Sequence, residues 1–232
     1  MSDHADTSKK LVQKAAEKYS ETTSLRAAIQ LIPYIGGSLD AIIGGEGQKI
    51  QQRRIEHFIS GLDIKLREIE TSRCNPTDEE LFDITLLSLE QVVKTRSEHK
   101  RTRFAQIIAK QISTGAKFDV AETAIRLVSE LEDIHIEILN EAMIAPLQPA
   151  PFDYLRVVTI APSPLRTVSG NLPPQLKDSF TDLSDEVLRL ICSELVAKGL
   201  LKDEGIGRWD TKGMEYFTTT SLTHWLFSWL KK

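Results

Sequence analysis

Cysteine, a dominant charge sign and long apolar runs are all scarce in this chain, and each shortage excludes a class of protein. Among 232 residues there are two cysteines, Cys74 and Cys192, far apart and in no CxxC pair. A disulfide scaffold or a thiolate zinc site is therefore a poor fit, and reduced thiols in a cytosol are expected. The formal net charge is only −4, so there is no global attraction to nucleic acid or acidic lipid. Anion binding would need a local patch. No stretch reaches the ~18–20 apolar residues of a transmembrane helix. The polar start, MSDHADTSKK, lacks the apolar core of a secretory signal. The expected location is the cytoplasm, with membrane association only on activation.

Catalytic signatures are missing as well. Histidines stand at 4, 57, 99, 135 and 224 and form neither HExxH nor HxH. There is no GxSxG, and GGSLDAIIGG lacks the lysine of a phosphate-binding loop. The Asp and Glu spacing looks like solvated helix faces. These readings point away from an enzyme. No catalytic residue, metal site, cofactor or small-molecule substrate is inferred.

What is present is a soluble composition, 41% apolar and 27% charged, arranged mostly at helical period. After a polar tail, Leu11, Val12, Ala15 and Tyr19 mark a short amphipathic helix. The next segment, Leu25 to Gly47, is unusual. It has no charge between Arg26 and Asp40 and carries five of the twelve glycines. Pro33 must disturb a helix there, and Gly36, Gly37, Gly44 and Gly45 loosen or end it. A kinked helix or tight helical hairpin is expected, with glycines at two-turn spacing allowing close helix approach. Membrane insertion is the sharper reading, but Asp40 would cost some ~2.5–3.5 kcal/mol at a bilayer centre. A buried packing or assembly hairpin, with conditional insertion, is favoured.

Helical stripes follow at 48–71, after the Thr77 to Glu80 capping signature, over FAQIIAKQIS, and over Val120 to Met143 as one long helix. Residues 1–145 therefore read as an antiparallel helical bundle. Between two of its helices lies a basic run, Lys94, Arg96, Lys100, Arg101 and Arg103, a candidate anion-binding patch. Only the flanking Phe104 offers an aromatic face, so base stacking has little support, and a solvated helix end is the plainer reading. Residues 146–183 carry seven of the nine prolines and read as a connector with a short strand near 156–160.

Residues 184–232 give helix, strand, turn, strand, helix, the order of a winged-helix end, with the helix at 131–143 available as its first helix. The candidate recognition helix, DEVLRLICSELVAK, carries Asp185, Glu186 and Glu194 against Arg189 and Lys198. Acids there would repel phosphates, so protein contact is favoured over DNA. Trp225, Phe227 and Trp229 are expected to close a small core rather than anchor a membrane.

The set LIPYIGGSLDAIIGG, KIQQRRIEHFISGLDIKLREIE, FAQIIAKQIS and VSELEDIHIEILN, with the winged-helix-like end, resembles poorly characterised bacterial helical proteins of the abortive-infection alpha type. The resemblance implies a cytoplasmic helical protein of phage defence, an effector or its regulator, with no catalytic residues to carry over. The fold expected is mainly α: a bundle followed by a winged-helix-like α+β domain. The function expected is non-enzymatic defence or stress response through a protein partner or self-association. A winged-helix DNA-binding transcriptional regulator is the alternative.

Overall fold

A computed structural model describes residues 46–68, 78–149, 152–160, 172–206 and 212–231. The chain is mainly helical, with a small antiparallel sheet region towards its C-terminus. It divides into two compact units, Met1–Glu130 and Leu131–Lys232. The boundary expected at 145 thus falls before the helix at 133–144, which belongs to the second unit.

Four described helices make the first unit: α1 (Glu46–Glu68), α2 (Asp78–Lys94), α3 (Glu98–Thr114) and α4 (Phe118–Glu130). Each buries one stripe. Ala121, Ala124, Ile125 and Val128 on α4 follow i, i+3, i+4, i+7 and are all fully buried. Phe104, Ile107 and Ile108 are fully buried on α3, the helix that packs on both α1 and α4. Phe58 and Leu62 of α1 and Ile84, Leu89 and Val92 of α2 complete the core. Burying such side chains contributes about 1.5–3 kcal/mol each.

The second unit begins where one long helix is expected over 120–143, and the structure instead breaks it. Leu131 is buried and Glu132 is extended (φ −81°, ψ 168°). His135 Nδ1 accepts the Glu132 backbone N–H at 2.9 Å. That bond satisfies one of the orphan donors at the start of a new helix, α5 (Asp133–Ile144). Apolar spacing runs through the break unchanged and so does not reveal it.

Residues 146–183 are more than a connector. Their described parts hold β1 (Leu147–Gln148), β2 (Leu155–Arg156), β3 (Val158–Thr159) and the short α6 (Leu176–Ser179). Then follow α7 (Asp185–Ala197), β4 (Leu201–Asp203), β5 (Tyr216–Thr219) and α8 (Ser221–Leu230). β1 and β2 form an antiparallel ribbon, Leu147 opposite Arg156. β3, β5 and β4 form a three-stranded antiparallel sheet in that order. Val158 pairs with Phe217 and Leu201 with Thr219. The strand pairing across 59 positions of sequence is what draws the proline-rich stretch into the unit. α5 packs on β5 and α7, and α7 packs on β4. Phe152 stacks at a tilt on Tyr216, ring centroids 5.2 Å apart, and pins the ribbon to the sheet.

Two ends show why these helices stop and start. Gly199 (φ 71°) follows α7, its N–H bonded to Val196 O and that of Leu200 to Leu195 O, a Schellman close that favours glycine. Thr220 caps α8 by accepting the Thr223 N–H, while its own hydroxyl donates to Gly199 O. Phe227 and Trp229 of α8 are buried and Trp225 is partly so, with the two indoles edge to face at 6.2 Å. Among the described residues no helix is long and apolar enough to cross a membrane.

Candidate functional site

Pro33, Gly36, Gly37, Asp40, Gly44 and Gly45 lie outside the described residues. The basic run is described, and the structure disperses it. α3 starts at Glu98, capped by Ser97, whose hydroxyl accepts the Lys100 N–H at 2.9 Å. Most of the run is therefore the first turns of a helix rather than a polar link ahead of one. Lys94 and Arg96 are exposed and Arg103 is half-buried. Lys100 and Arg101 are buried, at 4% and 8% exposure.

The buried pair has structural work. Lys100 Nζ donates to Ser129 O near the end of α4. Arg101 Nη1 donates to Thr95 O and Arg96 O, just past the end of α2. Arg54 of α1 adds a 2.5 Å bond to Val93 O. Cations thus meet the carbonyls that helix ends leave unpaired, where the helix dipole also favours positive charge. His57 Nε2 sits 2.5 Å from Glu98 Oε1. Burial pushes the Arg101 guanidinium below its ordinary value, against the pull of Glu98, and Arg54 pushes the same way as burial. Two of the five residues grouped by sequence therefore face carbonyls, and an incoming anion would have to compete with those bonds.

The second unit presents a different surface. On α7 the buried stripe is Leu188, Cys192 and Leu195. The opposite face, Glu186, Val187, Leu190, Glu194 and Ala197, is exposed, with Leu190 at 59%. Arg189 is turned aside, its Nη1 donating to Met214 O at 2.7 Å. Glu194 Oε2 accepts from His135 Nε2 at 2.9 Å, which ties α7 to the start of α5. The tautomer follows from the other nitrogen: Nδ1 accepts from Glu132, so Nε2 carries the proton. The Glu186 carboxyl is held below the usual range, first by its own backbone N–H and then by the Ser184 hydroxyl. The face is therefore apolar with fixed negative flanks.

The loop between β4 and β5 is organised by one buried carboxylate. Asp203, 7% exposed, accepts the Gly205 N–H at Oδ1 (2.8 Å) and the Met214 N–H at Oδ2 (2.7 Å). Gly205 is required for a second reason: a Cβ there would lie 2.2 Å from Lys212 O. Next to it, Lys202 pairs with the buried Glu204 at 2.7 Å.

A third feature has no counterpart in the sequence reading. The turn Phe152 to Leu155, closed by Leu155 N–H to Phe152 O at 3.0 Å, has Asp153 at φ 53° and Tyr154 at φ 63°. Two successive left-handed residues are normally Asn-Gly or Asp-Gly. Nothing in PFDYL signals this. Tyr154 is 71% exposed, so its side chain gains little packing in return for the backbone strain. The outward face of α7, by contrast, is legible from the helical spacing of DEVLRLICSELVA.

Among the described residues no group of three or more His, Cys, Asp or Glu is placed to hold a metal ion. No protein-family model, curated protein or solved structure matches the chain.

Proposed function

We propose that the chain is a non-enzymatic bacterial defence or stress-response protein acting through protein contacts, and that its second unit is a winged-helix-like module used for those contacts. The order α5, β3, α6, α7, β4, β5 and the sheet order β3-β5-β4 support the winged-helix comparison. The observation that carries the protein-contact reading is the outward face of α7. It sits where a recognition helix would, yet offers Val187 and Leu190 between Glu186 and Glu194. Base edges are read by Arg, Lys, Asn or Gln, and the one arginine of α7 is spent on Met214 O. The defence assignment rests on the sequence resemblance. Conditional membrane perturbation by residues 25–47 is the remaining part of the proposal, and liposome leakage with and without Gly37→Leu tests it.

The deciding experiment replaces Leu190 by Asp and measures both protection of a bacterial host against phage and DNA mobility shift at low salt. Loss of protection with no DNA shift in the parent protein is expected. Unchanged protection would overturn the reading. A shift at low salt that weakens steeply with salt would favour the DNA-binding regulator, because phosphate contacts release counterions.

A further inference from the structure

Of the two histidines in the second unit, His224 is exposed and His135 is buried, at 6% exposure. Both ring nitrogens of His135 are bonded: Nδ1 accepts the Glu132 N–H and Nε2 donates to Glu194 Oε2, each at 2.9 Å. Only the neutral ring satisfies both partners. A second ring proton has one place to go, Nδ1, where it would face the Glu132 N–H, donor against donor. The two sides of the ring therefore respond to a proton in opposite senses. At Nε2 the bond to Glu194 becomes charge-assisted and stronger. At Nδ1 the bond that opens α5 is lost.

The backbone at that bond is able to let go. Glu132 is extended and exposed, so its freed N–H meets water instead of being stranded. Residues 118–145 contain neither glycine nor proline, so no residue dictates the break by its own backbone preference. The burial of Leu131 and the bonds of His135 hold it. β5, α7 and β2 pack on α5. α7 brings Glu194 to the ring, with Lys198 one turn beyond it. β5 carries Tyr216, and β2 carries Arg156, which is committed to Ala145 O at the far end of α5. The chain entering α5 adds Glu130, Glu132 and Asp133. Glu194 is the ionisable side chain among these that is bonded to the ring.

We infer that His135 is a proton switch at the start of α5. One proton taken from solvent at Nδ1 releases the Glu132 N–H and loosens the entry to the helix, while the Nε2 side holds α7 the more firmly. Glu194 lies on the outward face of α7, so the same proton compensates a carboxylate that an incoming partner would meet. That consequence rests on the protein-contact reading above; the switch itself does not.

The test follows the His135 ring nitrogens and the backbone amides of the full chain by NMR as pH is lowered. As the ring takes its second proton, the Glu132 amide is expected to shift in step. It should lose about 5-fold in protection from exchange, relative to its intrinsic rate at each pH, the change that one hydrogen bond carries. The amides of α7 are expected to keep their protection, and circular dichroism to stay constant, which separates the switch from acid unfolding. His135→Gln supplies an acceptor at the position where capping boxes carry glutamine, and it cannot titrate. Its Glu132 amide is expected to stay protected over the same range. Glu194→Gln, which removes the carboxylate that favours the charged ring, is expected to need more acid for the same change. A ring that stays neutral until the unit unfolds, a Glu132 amide that does not follow the ring, or a His135→Gln chain that responds as wild type does would each overturn the proposal. If the ring and the Glu132 amide titrate together yet Leu190→Asp leaves phage protection unchanged, the switch stands and the protein-contact reading falls. If the amide ignores the ring yet Leu190→Asp abolishes protection, the reverse holds.

Discussion

Replacing Asp203 by alanine is the sharpest test of how the β4–β5 loop is held. Both carboxylate oxygens accept backbone donors, Gly205 N–H at 2.8 Å and Met214 N–H at 2.7 Å. The first bond is buried and the second partly so. Hydrogen bonds to a charged group contribute about 1.5–3 kcal/mol each, and an orphaned buried donor costs at the upper end. Discounting the Met214 bond for its partial exposure, Asp203→Ala is expected to cost about 2–4 kcal/mol. Trp225 and Trp229 belong to the second unit, so in a Trp209→Phe background indole fluorescence follows that unit alone. With a urea slope of about 2 kcal/mol/M, the midpoint should fall by roughly 1–2 M. Asp203→Asn should recover only part of this, since its amide turns a donor toward a donor. Gly205→Ala should lose a comparable amount by a different route, its Cβ colliding with Lys212 O. A midpoint within about 0.3 M of wild type for Asp203→Ala would refute the clamp, as surface substitutions fall in that range. Severe loss from Gly205→Ala alone would then mean that backbone approach, not the carboxylate, shapes the loop.

Three further outcomes are expected. Arg101→Ala should destabilise the first unit by about 2–3 kcal/mol by stranding Thr95 O and Arg96 O, while the exposed Arg96→Ala stays within about 0.5 kcal/mol; circular dichroism, which sees the first unit where fluorescence does not, checks this. Cys192 is fully buried and its thiol is pushed up to about 12 by that burial, so in a Cys74→Ser background a thiol reagent at mildly alkaline pH should label it only after urea unfolding, and rapid native labelling would contradict the packing of α7. Glu186 has a depressed carboxyl, so its contribution is present above the ordinary carboxylate range and is lost as pH falls through its folded value; wild type and Glu186→Gln should differ at neutral pH and converge in acid, and a gap that persists in strong acid would contradict the Ser184 and backbone hydrogen bonds as its cause.

Helices were legible where packing is local. The stripes Phe58 and Leu62, Ile107 and Ile108, and Ala121 to Val128 can be read from spacing alone, because a helix buries one face at a fixed period. What was not legible depends on distant partners or on a single atom. The break before α5 turns on His135 Nδ1 accepting from Glu132, and no periodicity records a tautomer. The short strand expected near 156–160 is present, but its partner was not legible: Val158 meets Phe217, a pairing no local pattern contains. The surroundings of the basic run were hidden for a related reason. Composition counts the charges of Lys100 and Arg101 but does not say that helix-end carbonyls claim them.

The same distinction, between where charge is in the sequence and what it touches, bears on the second unit. Its sequence sets Arg189, Lys198, Lys202, Arg208 and Lys212 near α7 and the loop against at least as many acids. In the fold, Arg189 donates to Met214 O, Lys202 pairs with Glu204, and Lys177 donates to Thr181 O and to Leu183 O. The Arg189 and Lys177 bonds hold helices to loops, so recruiting those cations to a phosphate would loosen the module that presents them. The outward residues Val187 and Leu190 are under no such obligation, and neither are Leu147 and Tyr154. Burying aliphatic and aromatic surface releases water without breaking any internal bond, about 25 cal/mol for each Å² removed. An interface built on these side chains is therefore the association this unit can make at the least cost to its own fold.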